Sequence, residues 1–197
     1  MVCGISIATR PDCLPPEVLQ LLAELNIRYP EKFIWVELGL QTIHECTARY
    51  IRRGYELPVF EKAVADLAAL SIPVIVHVIL GLPGETDDMM YETISYLNTQ
   101  DIMGVKLQLL HILKDTDLAK EYLAGKVIPL TKDHYLTLVI GCLERLRPDM
   151  VIHRVTGDGP KDLLLAPEFS KNKRDVLNSL HMRMRKEGAM QGRLCPL

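Results

Sequence analysis

The sequence predicts an α/β fold, a parallel sheet wrapped by helices and curved into a partial (β/α) barrel. Three observations lead there. Apolar runs of strand length alternate along the chain with segments of helical periodicity, the order from which right-handed crossovers build a parallel sheet. Four of the strand segments carry polar residues at period two: Ser6/Arg10, Glu37/Gln41, His77 and Lys106/Gln108. A strand covered by helices on both faces is apolar on both, so the apolar parity belongs to the helices and the polar parity to a common interior. Finally, the run from Val74 to Leu80 leads into Gly81-Leu-Pro-Gly84 and then Glu85, Thr86, Asp87 and Asp88. A strand, a glycine turn and an acidic helix start place backbone N–H groups at the carboxyl end of a parallel strand, where α/β folds bind ligands.

The elements follow in order. Residues 2–8 set Ile5 and Ile7 against Ser6 and Ala8 and read as a strand, ended by Pro11, Pro15 and Pro16. Leu19, Leu22 and Leu25 predict a helix over 17–28. The second strand, 33–40, sets Trp35, Glu37, Gly39 and Gln41 against Ile34, Val36, Leu38 and Leu40. A short helix over 42–53 is closed by Gly54, and a longer one over 57–70 presents Ala63, Leu67 and Leu70. After the central strand come a helix over 88–98 and a strand over 104–110, where Lys106 and Gln108 alternate with Val105, Leu107 and Leu109. Helices over 117–124 and 133–146 precede a fifth strand over 150–156, which contains His153 and Arg154. A loop at 157–160 leads to a basic helix over 170–186, and Pro196 marks the end. A closed eight-stranded barrel takes roughly 250 residues. Five strands therefore make the barrel partial, or truncated at its N-terminus.

The 197 residues carry a formal net charge of −2, with 48% hydrophobic and 24% charged side chains, the composition of a soluble globular protein with no overall pull toward nucleic acid or membrane. The charge is uneven. Residues 170–193 hold seven basic residues against Asp175 and Glu187, so this segment is +5 and the remainder −7. The longest apolar run, 72–83, contains Pro73 and His77 and is too short to span a bilayer. No signal peptide is visible. The five cysteines (Cys3, Cys13, Cys46, Cys142, Cys195) include no C-x-x-C pair, and they read as free thiols of a cytoplasmic protein.

Val76-His-Val-Ile-Leu-Gly-Leu-Pro-Gly-Glu-Thr86 resembles the fifth-strand motif of radical S-adenosylmethionine (SAM) enzymes. The likeness is strongest to the branch of oxygen-independent coproporphyrinogen oxidase and the elongator catalytic subunit. Glu37-Leu-Gly-Leu-Gln41, with Arg53-Gly54 twelve residues on, resembles that branch's fourth-strand Gly-x-Gln and Arg-Gly pair. Ala8-Thr-Arg-Pro-Asp12 looks like the third-strand ending, and the stretch from His153 to Pro167 resembles the bacterial YhcC/YtqA-type radical SAM proteins.

The resemblance implies a C-x-x-x-C-x-x-C loop holding a [4Fe–4S] cluster, whose open iron chelates SAM so that electron transfer releases a hydrogen-abstracting 5′-deoxyadenosyl radical. This sequence has no such spacing and starts at what the resemblance makes the third strand. The expectation is therefore the C-terminal portion of a radical SAM enzyme, with the cluster in the full-length protein only and this chain alone inactive. Residues 1–115 would be a partial barrel of the family's strands three to six, and 116–197 a helical extension with one further strand.

The resemblance assigns Gln41, Arg53, His77, Gly81, Pro83 and Gly84 to SAM, and no metal ligand to this chain. An amide can bond ribose hydroxyls and a guanidinium can fork onto a carboxylate; where His77 stands, relatives often carry an acidic ribose ligand. Lys106, Gln108, His111, His153 and Arg154 are candidates for catalysis or substrate binding near the lumen mouth. The substrate is open, with RNA a candidate through the basic final helix. No membrane partner is expected, and self-association is expected through the edge strand 2–8. The competing reading is a non-catalytic module that binds SAM or a partner without the cluster.

Overall fold

A computed structural model describes residues 2–157 and 159–195. Asp158 within the expected loop, and Pro196 at the expected end, lie outside the described residues. Five strands form one sheet: β1 (Gly4–Thr9), β2 (Phe33–Gln41), β3 (Val74–Leu80), β4 (Gly104–Leu109) and, later in the chain, β6 (Val151–Arg154). They lie in the order β1-β2-β3-β4-β6, and every neighbouring pair is parallel.

The period-two pattern resolves as the sequence predicts. Along β2, Ile34, Val36, Leu38 and Leu40 are buried while Trp35, Glu37, Gly39 and Gln41 are half-buried, and β4 repeats the alternation. The apolar face packs on α1 (Pro16–Arg28), α3 (Leu57–Ala69), α4 (Asp87–Leu97) and α6 (Lys132–Arg145) in one cluster of buried side chains running from Leu22 to Leu180. Each large aliphatic side chain sealed there contributes roughly 1.5–3 kcal/mol. The helices begin where capping chemistry allows. Thr86 accepts from Met89 N at 3.3 Å ahead of Asp87 and Asp88 in the first turn of α4. Asn172 accepts from Asp175 N at 3.2 Å at the start of α7 (Lys173–Glu187).

Three expectations change. The helix expected over 42–53 is only α2 (Glu45–Tyr50). Thr42 is held outside it, its Oγ1 accepting from His44 N at 3.1 Å, and the chain turns away at Arg52 and Gly54, both left-handed with φ of 56° and 86°. The final helix starts at Lys173 rather than residue 170, because Glu168–Lys171 form a separate 3-10 turn. Two short strands carry no readable period: β5 (Ile112–Leu113) pairs antiparallel with β7 (Leu164–Ala166) beside α5 (Asp117–Leu123). This small sheet covers a second cluster of Ile112, Ala119, Val127 and Ala166. The β5–β7 pairing bridges the 115/116 boundary, and β6 joins the main sheet from beyond it. Among the described residues no helix is long and apolar enough to cross a membrane.

Candidate functional site

At the C-terminal ends of the parallel strands a cavity of about 470 Å³ opens, walled by Gln41, Arg53, Tyr55, Ile79, Pro83 and Leu110 among others. Gln41 ends β2 in a left-handed conformation (φ 62°), where the β2–β3 register slips between Gly39 and Gln41. Its amide folds back over Gly39 so closely that a Cβ there would lie 2.4 Å from it, so any side chain at position 39 would displace the amide. The amide is assigned with its nitrogen donating to Gly39 O (3.2 Å), Leu40 O (3.0 Å) and the Tyr55 hydroxyl (3.3 Å).

Arg53 has a side chain only 2% exposed. Nη1 donates to Leu40 O (3.2 Å) and Thr42 O (2.7 Å), Nε to Tyr55 O (2.9 Å), and Nη2 to Glu45 Oε1 (2.8 Å). These contacts use four of the five guanidinium hydrogens. The planar group also lies over the Tyr55 ring at 4.8 Å, and Arg10 approaches the same ring at 5.7 Å. Burial pushes the Tyr55 hydroxyl up to about 12 despite the two neighbouring guanidinium charges.

The strand-to-helix turn is tied to this loop. Thr42, fully buried, donates to Glu85 Oε1 at 2.5 Å, and burial raises the Glu85 pKa against that bond. Gly81 and Gly84 both have φ 85°, and the Gly81 N–H points at Met90 Sδ (3.1 Å). Pro83 borders the main cavity; Gly84 borders an adjoining recess of about 350 Å³.

Deeper on the polar face, Glu37 is the hub of a network. Ser6 Oγ donates to Oε1 (2.7 Å), while His77 Nε2 (2.6 Å) and Lys106 Nζ both reach Oε2. Gln108 Nε2 lies 3.0 Å from His77 Nδ1. With the Gln108 amide donating to Nδ1, the His77 proton sits on Nε2 and faces Glu37. Burial alone would raise the Glu37 pKa, but bonds from Lys106, Ser6 and His77 together bring it down to about 2. Burial lowers the His77 pKa, outweighing the opposing pull of Glu37. The result is a Glu37–Lys106 ion pair beside a neutral imidazole.

The sequence candidates therefore separate. Gln41, Arg53 and Pro83 meet at the cavity. His77, Lys106 and Gln108 meet one layer below it, and His77 has both ring nitrogens occupied by protein partners. Arg154 stands opposite Lys106 in the β4–β6 register. His153 is not at the mouth: its ring packs on Gly104, at the start of β4, and edge-on to Trp35 at 5.7 Å. His111 leaves the sheet just after β4 and faces a different cavity. Glu37 and Ser6, which join the network of His77 and Lys106, are absent from the sequence candidates, as are Tyr55, Ile79 and Leu110 of the cavity wall. The signal for Glu37 and Ser6 was present in the shared parity with His77 and Lys106, but the contact depends on register.

Residues 1–97 match the Radical SAM superfamily, and residues 102–186 match the Radical_SAM C-terminal domain. The chain belongs to the radical SAM superfamily. It is 46% identical over 192 residues to the uncharacterized protein YtqA of Bacillus subtilis, covering 98% of this chain and 59% of that one. It is 31% identical over 172 residues to protein YhcC of Escherichia coli K12, covering 87% and 55% respectively. The chain thus spans less than three fifths of the length of these relatives. In fold it is similar to the archaeal Methanocaldococcus infernus Elp3 with residues 1–46 deleted, with a TM-score of 0.81 at 18% identity, over 96% of this chain and 43% of that one. The two bacterial relatives are of the group that the stretch from His153 to Pro167 resembles, and the likeness to Elp3 is one of fold.

SAM and a [4Fe–4S] cluster are typical of radical SAM proteins. The donor set at the cavity suits the first: an amide, a guanidinium hydrogen, an aromatic ring and the apolar Ile79 and Leu110. The second does not fit this chain. Its cysteines lie on separate segments, with Cys3, Cys13 and Cys46 exposed and Cys142 buried in α6, and among the described residues no group of three or more His, Cys, Asp or Glu could hold a metal ion.

Proposed function

We propose that this chain is the SAM-holding and substrate-facing portion of a radical SAM enzyme whose cluster belongs to the full-length protein. The observation that carries the proposal is the cavity at the strand ends, where the Gly-x-Gln, Arg-Gly and Gly-Leu-Pro-Gly segments meet. SAM held there supplies the family's hydrogen-abstraction chemistry. Gln41 presents an amide for the ribose hydroxyls, and the remaining Nη2 hydrogen of Arg53 is directed to the carboxylate. Arg53 also acts as a positioning residue, since its other four bonds fix the loop from Leu40 to Tyr55 that forms the wall. Ile79 and Leu110 give the adenine an apolar surface and exclude water from it. Below the cavity the Glu37 network presents polar groups of fixed tautomer and charge toward the lumen, with Lys106 and Arg154 as substrate contacts. Free thiols suit a reducing cytoplasm.

The competing reading is a module that binds SAM or a partner without the cluster. Anaerobic assay of the reduced full-length protein separates the two. The enzyme reading expects SAM cleavage to methionine and 5′-deoxyadenosine. Saturable SAM binding without cleavage supports the module, and absence of SAM binding leaves only a module that binds a partner.

A further inference from the structure

Three guanidinium groups line the large cavity, those of Arg10, Arg52 and Arg53, and they are not equally free. Arg53 turns four of its five hydrogens onto its own loop. Arg52, with its side chain 78% exposed, meets Asp117 at 3.0 Å, and that carboxylate lines the same cavity. Arg10 is placed differently. It directly follows β1, and the buried Pro11 after it fixes the turn at the carboxyl end of that strand.

The Arg10 side chain is gripped along one edge. Nε and Nη2 donate to the two oxygens of Asp12 at 2.9 and 2.6 Å. The guanidinium rests against Gly54, where a Cβ would stand 3.0 Å from Nη2, and its centre lies 5.7 Å from that of the Tyr55 ring. Gly54 has φ 86°, so the residue after Arg53 both turns the chain and leaves room for Arg10. The Asp12 contacts alone would be a local ion pair; the other edge is what points to a ligand. The end of the group keeps one hydrogen on each Nη, side by side, and a second on Nη1. None of these has a protein acceptor among the described residues. Two parallel N–H groups match the two oxygens of a carboxylate.

We propose that Arg10 binds the carboxylate of the ligand held in the large cavity, supplying the two-pronged contact for which Arg53 has too few hydrogens left. This deepens the SAM reading of that cavity and rests on it, since SAM carries its carboxylate at the end of its methionine part. Arg53 adds a single hydrogen and holds the wall. Asp12 is a positioning residue that fixes the plane of the Arg10 fork, so little rotamer freedom is lost when the ligand arrives.

The test is calorimetry on the anaerobic full-length protein with two ligands, SAM and 5′-methylthioadenosine, which shares the adenosine and the sulfur but has no carboxylate. Arg10→Gln should weaken SAM about fivefold, as for a charge-assisted contact partly open to solvent, and leave methylthioadenosine unchanged. Arg10→Lys should restore part of the loss, because a point charge attracts the carboxylate without forking onto it. Gln41→Ala gives the contrast: it faces the ribose that both ligands carry and should weaken both alike. Equal losses for the two ligands in Arg10→Gln would mean a general disturbance of the wall and would overturn the role of Arg10. SAM affinity unchanged in Arg10→Gln would overturn it too. In both cases the SAM reading stands. If the unsubstituted protein binds neither ligand, the SAM reading itself falls, and the role of Arg10 falls with it.

Discussion

His77 Nε2 lies 2.6 Å from Glu37 Oε2, joining the second and third strands across the polar face of the sheet. Both partners are tuned by the contact and by burial, and both favour the folded state at neutral pH. His77 has a folded pKa below its ordinary 6.5, so the unfolded chain binds the proton more readily and stability falls as pH drops below 6.5. Glu37 is held at about 2 against an ordinary 4.5, and its contribution is lost as pH falls from 4.5 toward 2. Urea midpoints measured across the acid range should therefore decline in two stages. Glu37→Gln should remove the lower stage, and an unchanged profile in that variant would show that the network does not govern acid stability.

Removing Arg53 should be costly for the fold itself. Arg53→Ala leaves the carbonyls of Leu40, Thr42 and Tyr55 without their donor and strips Glu45 of its buried partner. A loss on the order of 3 kcal/mol is expected. A lower urea midpoint with an unchanged slope is the readout. Full stability in Arg53→Ala would mean that water replaces these bonds without penalty.

Gln41 offers the cleaner test of SAM binding, because its side chain is less embedded. Calorimetry on the full-length protein should show Gln41→Ala weakening SAM several-fold, about 1 kcal/mol, the worth of one neutral hydrogen bond. Gly39→Val should do the same without touching Gln41, by pushing its amide out of the wall. Unaltered affinity in both variants would take the Gly-x-Gln segment out of the site.

β1 occupies one edge of the described sheet, and Ile5 on it is 42% exposed. Unpaired edge groups recruit other chains, and no proline or charged side chain lies within Gly4–Thr9. The 197-residue chain is expected to self-associate through this strand, and Ile5→Lys should shift it toward monomer. Sedimentation at several concentrations is decisive: association undiminished by the substitution places the contact elsewhere.

Much of this architecture is legible in the residues. β2 and β4 alternate strongly and β3 is apolar but for His77, so Val74–Leu80 and Phe33–Gln41 stand out within one residue of their ends. The two-residue β5 and three-residue β7 are too short for any period to form, and each is made a strand only by the other. Gln41 and Arg53 can be picked out by their spacing. That Arg53 turns four donors onto its own loop cannot, because nothing local says which carbonyls the fold will bring near. The same holds for Glu37, which meets His77 diagonally while His77 lies opposite Lys106. Parity gives the face of a side chain, and register gives its neighbours. His153 shows the cost of lacking register: Val151 stands opposite Gly104, which leaves the histidine at the far end of the sheet from the mouth.

The spatial order β1-β2-β3-β4-β6 is also the order in which a ribosome would release the strands. Each strand after β1 emerges with one of its neighbours already laid down, so the nascent sheet can grow at one side without rearranging what is built. β6 is the exception, arriving after α5 and α6 have been made. A pause in translation between Leu109 and Val151 would therefore leave the growing side of β4 bare, and that interval is when a chaperone would have most to protect.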